Sequence, residues 1–165
     1  MREVTEVAVG VLIDKEGRFL MASRPQGKPY AGWWEFPGGK LEAGEGVTEA
    51  LSREYAEELG IKVKKATPWF VFEREYPHAY VRLHFCRIVD WEGQPQPREG
   101  QTFQWFETLK QAQTEKLLPM CSLVIERLML SDRVALVKTP LSPTVETDFE
   151  KSGAKAILAS SFTPE

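Results

Sequence analysis

Residues 39–61 constrain this chain more than any other stretch of its 165 residues. They read Gly39-Lys-Leu-Glu-Ala-Gly-Glu45, then seven residues, then Arg53-Glu54-Tyr-Ala-Glu57-Glu58-Leu-Gly60-Ile61. A glycine loop thus runs into a segment with helical periodicity. At ~100° per residue, Val47, Ala50, Leu51 and Tyr55 form one apolar stripe. Glu54 and Glu58 fall inside that stripe, and Glu57 lies on its edge. A helix that only packs would carry Leu or Ala there. Ionised carboxylates turned toward an interior are costly unless paired or bound to a cation. The face therefore predicts a positive occupant, either a metal ion or a basic side chain. Clustered carboxylate oxygens suit hard cations such as Mg²⁺ or Mn²⁺. The competing reading is a solvated helix held by pairs such as Glu49 with Arg53 at i, i+4.

Composition narrows the class. Hydrophobic residues make up 42% and charged residues 27%, as in a globular domain with a real core. No apolar run is long enough to span a membrane, and the N-terminus lacks a signal-peptide pattern. Cys86 and Cys121 are the only cysteines, too few and too separated for a disulfide framework. The expectation is a cytoplasmic protein without a membrane partner. A net charge of −3 argues against broad nucleic-acid binding, so no stable nucleic-acid complex is expected.

Along the chain, residues 4–13 read as a strand, 14–17 as a turn and 18–23 as the returning strand. Residues 24–32 carry two prolines and two glycines and read as a loop. The glycine loop and helix follow, ending near Gly60. Residues 63–75 and 80–90 read as long strands joined at Pro77, and 102–106 as a short strand. Helices are expected over 108–117 and 121–130. In the tail, strands are expected over 133–138 and 156–160, a linker over 139–147 and a short helix over 149–155. Mixed strands and few helices predict a layered α/β (α+β) domain.

The segment resembles the Nudix box, the signature of the Nudix hydrolases. Gly39, Glu45, Arg53, Glu54, Glu57, Glu58, Gly60 and Ile61 match it in register, with Tyr55 at a position usually aliphatic. The lead-in Trp34-Glu35-Phe36-Pro37-Gly38-Gly39-Lys40 resembles the MutT branch. The resemblance implies a Nudix α/β/α sandwich around a mixed sheet, covering residues 1–130. A C-terminal extension of unknown role, 131–165, remains. It also implies hydrolysis of a phosphoanhydride, which needs charge neutralisation on the phosphates and an activated water. On that basis Glu57 and Glu58 are metal ligands, and Glu54 is the general base or a second-metal ligand. Arg53 orients a neighbouring glutamate, Glu45 tethers the loop, and the Gly38 carbonyl is a further ligand. Glu99, in Arg98-Glu99-Gly100-Gln101, matches a distant carboxylate that completes such sites.

The substrate side is less complete. Arg24 and Lys40 are candidate phosphate clamps, Arg by bidentate contact and Lys as a point charge. Phe36 and Trp34 either stack a base or fill core. The MutT enzymes read the base with an Asn before the last helix; Cys121 stands there, and a thiol cannot give an amide's paired hydrogen bonds. His78 and Ala79 replace an acidic and a basic residue of the family, and neither His78 nor His84 is given a catalytic role. The resemblance thus implies a Mg²⁺-dependent nucleotide pyrophosphohydrolase, monomer or homodimer, with 8-oxo-dGTP as the first-choice substrate. The alternatives are CTP or a modified pyrimidine triphosphate, ADP-ribose, a dinucleoside polyphosphate, an RNA 5′ end, or a non-catalytic nucleotide-sensing module.

Overall fold

The computed structural model describes residues 4–76, 79–129, 133–137 and 154–158. The first strand, β1 (Val4–Leu12), turns at residues 13–18 into β2 (Phe19–Ser23). Two short strands follow, β3 (Trp34–Glu35) and β4 (Gly38–Lys40), where only a loop was expected. The helix α1 is Val47–Leu59. It leads to the long strands β5 (Lys62–Tyr76) and β6 (Ala79–Glu92), then β7 (Phe103–Phe106), α2 (Leu109–Ala112) and α3 (Cys121–Met129). The expected turn at Pro77 and His78 lies outside the described residues.

Two sheets build the unit Met1–Ser122. One has the order β4-β1-β6-β5, with β1 parallel to β6 and its other pairs antiparallel, so it is mixed. The other is antiparallel, in the order β3-β2-β7. Ala8 and Leu12 of β1 and Cys86 and Ile88 of β6 point to one face of the mixed sheet. They share a core there with Ala50, Leu51, Tyr55 and Leu59 of α1. All four are fully buried; of the expected stripe, Ala50, Leu51 and Tyr55 are among them, Leu59 joins them, and Val47 is only half-buried against the core. Farther along the same face, Glu6 pairs with Arg82 at 2.6 Å and with His84, and Arg82 also pairs with Glu73. This ladder across β1, β6 and β5 gives His84 a structural place.

The ends of α1 follow from its sequence. The Glu49 carboxylate accepts the Gly46 N–H at 2.7 Å, so Glu49 caps the helix start. At the other end Gly60 takes a left-handed φ of 68° and its N–H returns to the Ala56 carbonyl.

The helix expected over 108–117 shrinks to the single turn of α2. The reason is tertiary: the Trp34 N–H donates to the Lys116 carbonyl at 2.7 Å, and the Leu118 N–H donates to the Trp34 carbonyl at 3.0 Å. Residues 116–118 thus run extended beside β3, and local helix preference yields to that pairing.

The unit Leu123–Glu165 contains a parallel pair, β8 (Arg133–Val137) with β9 (Ala154–Leu158). Ala154 and Lys155 are therefore strand, not the end of a helix. The rest of that expected helix, and the linker, lie outside the described residues.

Candidate active site

The site is assembled around α1. Its inward phase places Glu54 and Glu58 half-buried beside the core residues Tyr55 and Leu59, while the Glu57 side chain is 55% exposed. Glu54 meets β4, where Gly39 pairs with Ala8 of β1. A Cβ on Gly39 would overlap the Glu54 carboxylate. The glycine is what lets helix and strand approach so closely.

Arg53 holds these parts in place. Its Nε donates to Glu45 at 2.9 Å, and its Nη2 donates to Glu45 at 2.9 Å and to the Lys40 carbonyl at 3.1 Å. Its Nη1 donates to Glu54 at 2.7 Å and lies 3.5 Å from Glu57. One guanidinium fork therefore fixes the loop through Glu45, the end of β4 through Lys40, and the helix carboxylates. The hydrogen bonds from Arg53, then from the Glu42 N–H, hold the Glu45 carboxyl below its ordinary range. Those to Glu45 and Glu54 raise Arg53 further. Arg53 and Glu45, expected to orient a glutamate and to tether the loop, are thus hydrogen-bonded to each other, and Arg53 to Glu54 as well. The helix-surface pair Glu49–Arg53 does not describe this geometry, because Glu49 caps Gly46 instead.

Glu58 has a strongly perturbed environment. Burial pushes its carboxyl up to about 8, and the negative charges of Glu54, Glu99 and Glu35 add to the rise. The negative charges that act on Glu58 thus come from α1, β3 and the loop before β7. Glu99 acts on Glu58 because residues 96–101 are stitched to the last turn of α1. The Gln96 N–H donates to the Leu59 carbonyl at 2.9 Å, and the Arg98 N–H to the Glu58 carbonyl at 3.1 Å. Lys28 lies 3.9 Å from Glu99 and partly offsets the charge around Glu58.

The expected substrate residues are placed unevenly. Arg24 donates through Nε to the Pro29 carbonyl at 2.8 Å and through Nη1 to Glu35 at 2.7 Å, so its fork is already engaged beside the acidic cluster. Burial still raises the Glu35 carboxyl, despite the opposing pull of Arg24. Lys40 is exposed at the end of β4. Phe36 is a correction: it is 5% exposed with its ring centroid 6.1 Å from that of Phe19, and so belongs to the core rather than to a stacking surface. Trp34 meets the same cluster, 5.5 Å from Phe106. Cys121 is also inside, 6% exposed, and burial pushes its thiol up to about 12. Its expected place as a substrate contact becomes that of a neutral buried group hydrogen-bonded to the Phe36 backbone.

Sequence reasoning assigned no role to Glu35, Lys28 or Gln101. Glu35 had a readable signal, a single acid between Trp34 and Phe36 in a short extended stretch. Lys28 in its Pro/Gly loop and Gln101 beside Glu99 had none, because each acts through contacts distant in sequence.

Carboxylate and carbonyl oxygens are the donor type that a hard divalent cation takes. Among the described residues no three His, Cys, Asp or Glu side chains are drawn together as a ready-made cage. The fit rests on chemistry. The carboxylates that act on Glu58 carry mutual repulsion that a cation would relieve, and the Gly38 carbonyl lies on the adjoining strand. No helix among the described residues is long and apolar enough to cross a membrane.

The site is thus an acid-lined helix and a glycine strand on a mixed sheet, locked by one arginine. Residues 4–121 match the family model of the NUDIX domain, and the chain belongs to that family as a Nudix hydrolase. It is 37% identical over 106 residues to an 8-oxo-dGTP diphosphatase of Haemophilus influenzae, covering 64% of this chain and 78% of that one. It is equally 37% identical over 97 residues to a CTP pyrophosphohydrolase of Escherichia coli, covering 59% and 72%. In structure it resembles a MutT protein from work on Aliivibrio salmonicida and Vibrio cholerae, with TM-score 0.67 and 27% identity over 77% of this chain and 98% of the other. The solution structure of the E. coli ORF135 protein gives TM-score 0.68 and 32% identity over 78% and 90%.

Proposed function

We propose that this chain is a Mg²⁺-dependent nucleoside triphosphate pyrophosphohydrolase, releasing the monophosphate and pyrophosphate, with 8-oxo-dGTP as its preferred substrate. The observation that carries the reading is the seating of Glu54 of α1 against Gly39, held there by the Arg53 fork, with Glu58 half-buried on the same helix and feeling the charge of Glu99. Glu54, Glu57, Glu58, Glu99 and the Gly38 carbonyl would hold Mg²⁺, with Mn²⁺ as a substitute. Bound there, the cation would neutralise phosphate charge and acidify a water. Glu54, positioned by Arg53, would then accept the proton of the attacking water. Arg24 and Lys40 would meet the phosphate chain, Arg24 after exchanging its contact with Glu35. The 8-oxo-dGTP assignment is supported by the activity named for the Haemophilus relative. Clearing that nucleotide from a cytoplasmic pool would limit replication errors.

A second reading has its own support. The Cys121 thiol is buried and neutral where the MutT enzymes carry a base-reading Asn. The relative named as a CTP pyrophosphohydrolase is as similar as the first. A pyrimidine triphosphate is therefore the alternative substrate.

The test is pyrophosphate release in Mg²⁺ from 8-oxo-dGTP, dGTP, CTP, dCTP, ADP-ribose and a dinucleoside tetraphosphate. The expected result is a kcat/KM for 8-oxo-dGTP at least about tenfold above that for dGTP. A peak at CTP or dCTP would establish the second reading, and turnover of none would remove both. A Glu57→Gln protein with full Mg²⁺-dependent activity would sink the ligand assignment.

A further inference from the structure

Gln101 is the one buried polar or charged residue among those described, at 7% exposure. Its side-chain amide is spent on two backbone groups. Oε1 accepts the Glu99 N–H at 2.7 Å, and Nε2 donates to the Glu58 carbonyl at 2.9 Å. Both partners are backbone groups of fixed polarity, so the orientation of the amide is unambiguous. The two residues it joins are 41 positions apart and come from different elements, α1 and the loop before β7. Each carries a carboxylate of the acidic cluster, and the Glu99 charge is felt at Glu58. The Gln96 and Arg98 N–H bonds tie the start of the loop to α1, and Gln101 is the side chain that bonds the Glu99 backbone itself. Gly100, next to it, takes a left-handed φ of 74°, and the Lys28 contact at 3.9 Å joins two exposed side chains.

We propose that Gln101 is a positioning residue that sets the spacing of Glu99 against Glu58, and thereby the divalent-cation affinity of the pair. The proposal rests on the metal reading above. It assigns Gln101 no contact with metal or substrate. A buried amide suits the task because losing its bond to the Glu99 N–H leaves that backbone group unpaired, whereas the Glu58 carbonyl keeps the Arg98 N–H at 3.1 Å.

The test is Mn²⁺ binding followed by EPR on the full chain, alongside the midpoint for Mg²⁺ activation. Gln101→Met keeps the volume and removes both hydrogen bonds. It should weaken Mn²⁺ binding about 10- to 100-fold, as loss of a residue behind a metal ligand does. The Glu99→Gln variant should show a similar loss, and adding Gln101→Met to it should cost no more, because the bridge acts only through Glu99. Amide exchange at Glu99 should speed up in Gln101→Met without metal. Should Gln101→Met not fold, Gln101→Asn, polar but too short to span both groups, carries the same expectations. Wild-type binding of Mn²⁺ with unchanged affinity in the variant would overturn the proposal and leave the metal reading standing. Full additivity with Glu99→Gln would also overturn it, since a general packing defect behaves that way. A wild type that binds no Mn²⁺ would remove the metal reading and the proposal with it.

Discussion

The Tyr55 hydroxyl donates to the Gly10 carbonyl at 2.6 Å in the middle of the core. The ring fills space that exists because residue 10 lacks a side chain; a Cβ there would meet the Tyr55 ring at 2.6 Å. This explains an aromatic residue where the Nudix box is usually aliphatic. Burial, with the nearby charge of Glu58, raises the phenol well above its ordinary range, so it remains a donor. The contact joins the helix bearing the acidic cluster to the strand beside the glycine loop.

Tyr55→Phe removes one donor and leaves the Gly10 carbonyl unpaired. It should cost about 1–3 kcal/mol of stability, read from denaturant melts with unchanged m. Gly10→Ala should cost more, because the ring cannot retreat through a packed core. A larger loss in Tyr55→Phe than in Gly10→Ala would contradict this order.

Arg53→Lys keeps the charge and loses the fork. An ammonium cannot serve Glu45, Glu54 and the Lys40 carbonyl from one rigid plane. The expected result is a fall in kcat on the order of 100-fold with a smaller change in KM, since the defect is misplacement of Glu54 rather than loss of binding. Equal kcat in wild type and variant would show that charge alone suffices.

The metal-free protein should lose stability as pH rises. Glu58 titrates at about 8 in the folded chain against an ordinary 4.5. Between those values the folded state holds a proton that the unfolded state has released, so stability falls with pH across that window and levels off above it. Melting temperatures in EDTA from pH 4.5 to 8.5 read this directly. Mg²⁺ should flatten the slope by favouring the ionised carboxyl. Glu58→Gln should raise the metal-free melting temperature at the alkaline end while impairing turnover, a conflict between stability and site chemistry.

The two thiols should be silent in the native protein. Cys86 and Cys121 are 1% and 6% exposed, and burial raises both thiols above their ordinary range. Native protein should react slowly with an aromatic disulfide reagent, and denatured protein should release both equivalents at once. Fast reaction of Cys121 in the native state would mean that its pocket opens.

Much of the site was legible because it is local. Arg53, Glu54, Tyr55 and Glu58 lie within two turns of one helix, and their relation to Glu45 is set by a short loop. Phase alone therefore places Glu54 and Glu58 within the apolar stripe and Glu57 at its edge. The long strands are legible for the same reason, through runs of β-branched and aromatic residues. Phe36 and Cys121 were not readable this way. Whether an aromatic ring or a thiol faces a ligand or a core depends on which neighbours close over it. Here those are Phe19 and the Phe36 backbone.

By itself the sequence determined the helix, its glycine C-cap and the inward phase of Glu54 and Glu58, because each follows from backbone periodicity and side-chain chemistry over a few residues; the role of Arg53 came from the family resemblance, and the Glu49 cap only from the structure. Tertiary structure alone decided the extended run at 116–118, the approach of Glu35 and Lys28 to the acidic cluster, and the Gln101 bridge between Glu58 and Glu99. Those depend on hydrogen bonds and charges between segments tens of residues apart. Such pairs meet only when the whole sheet has formed.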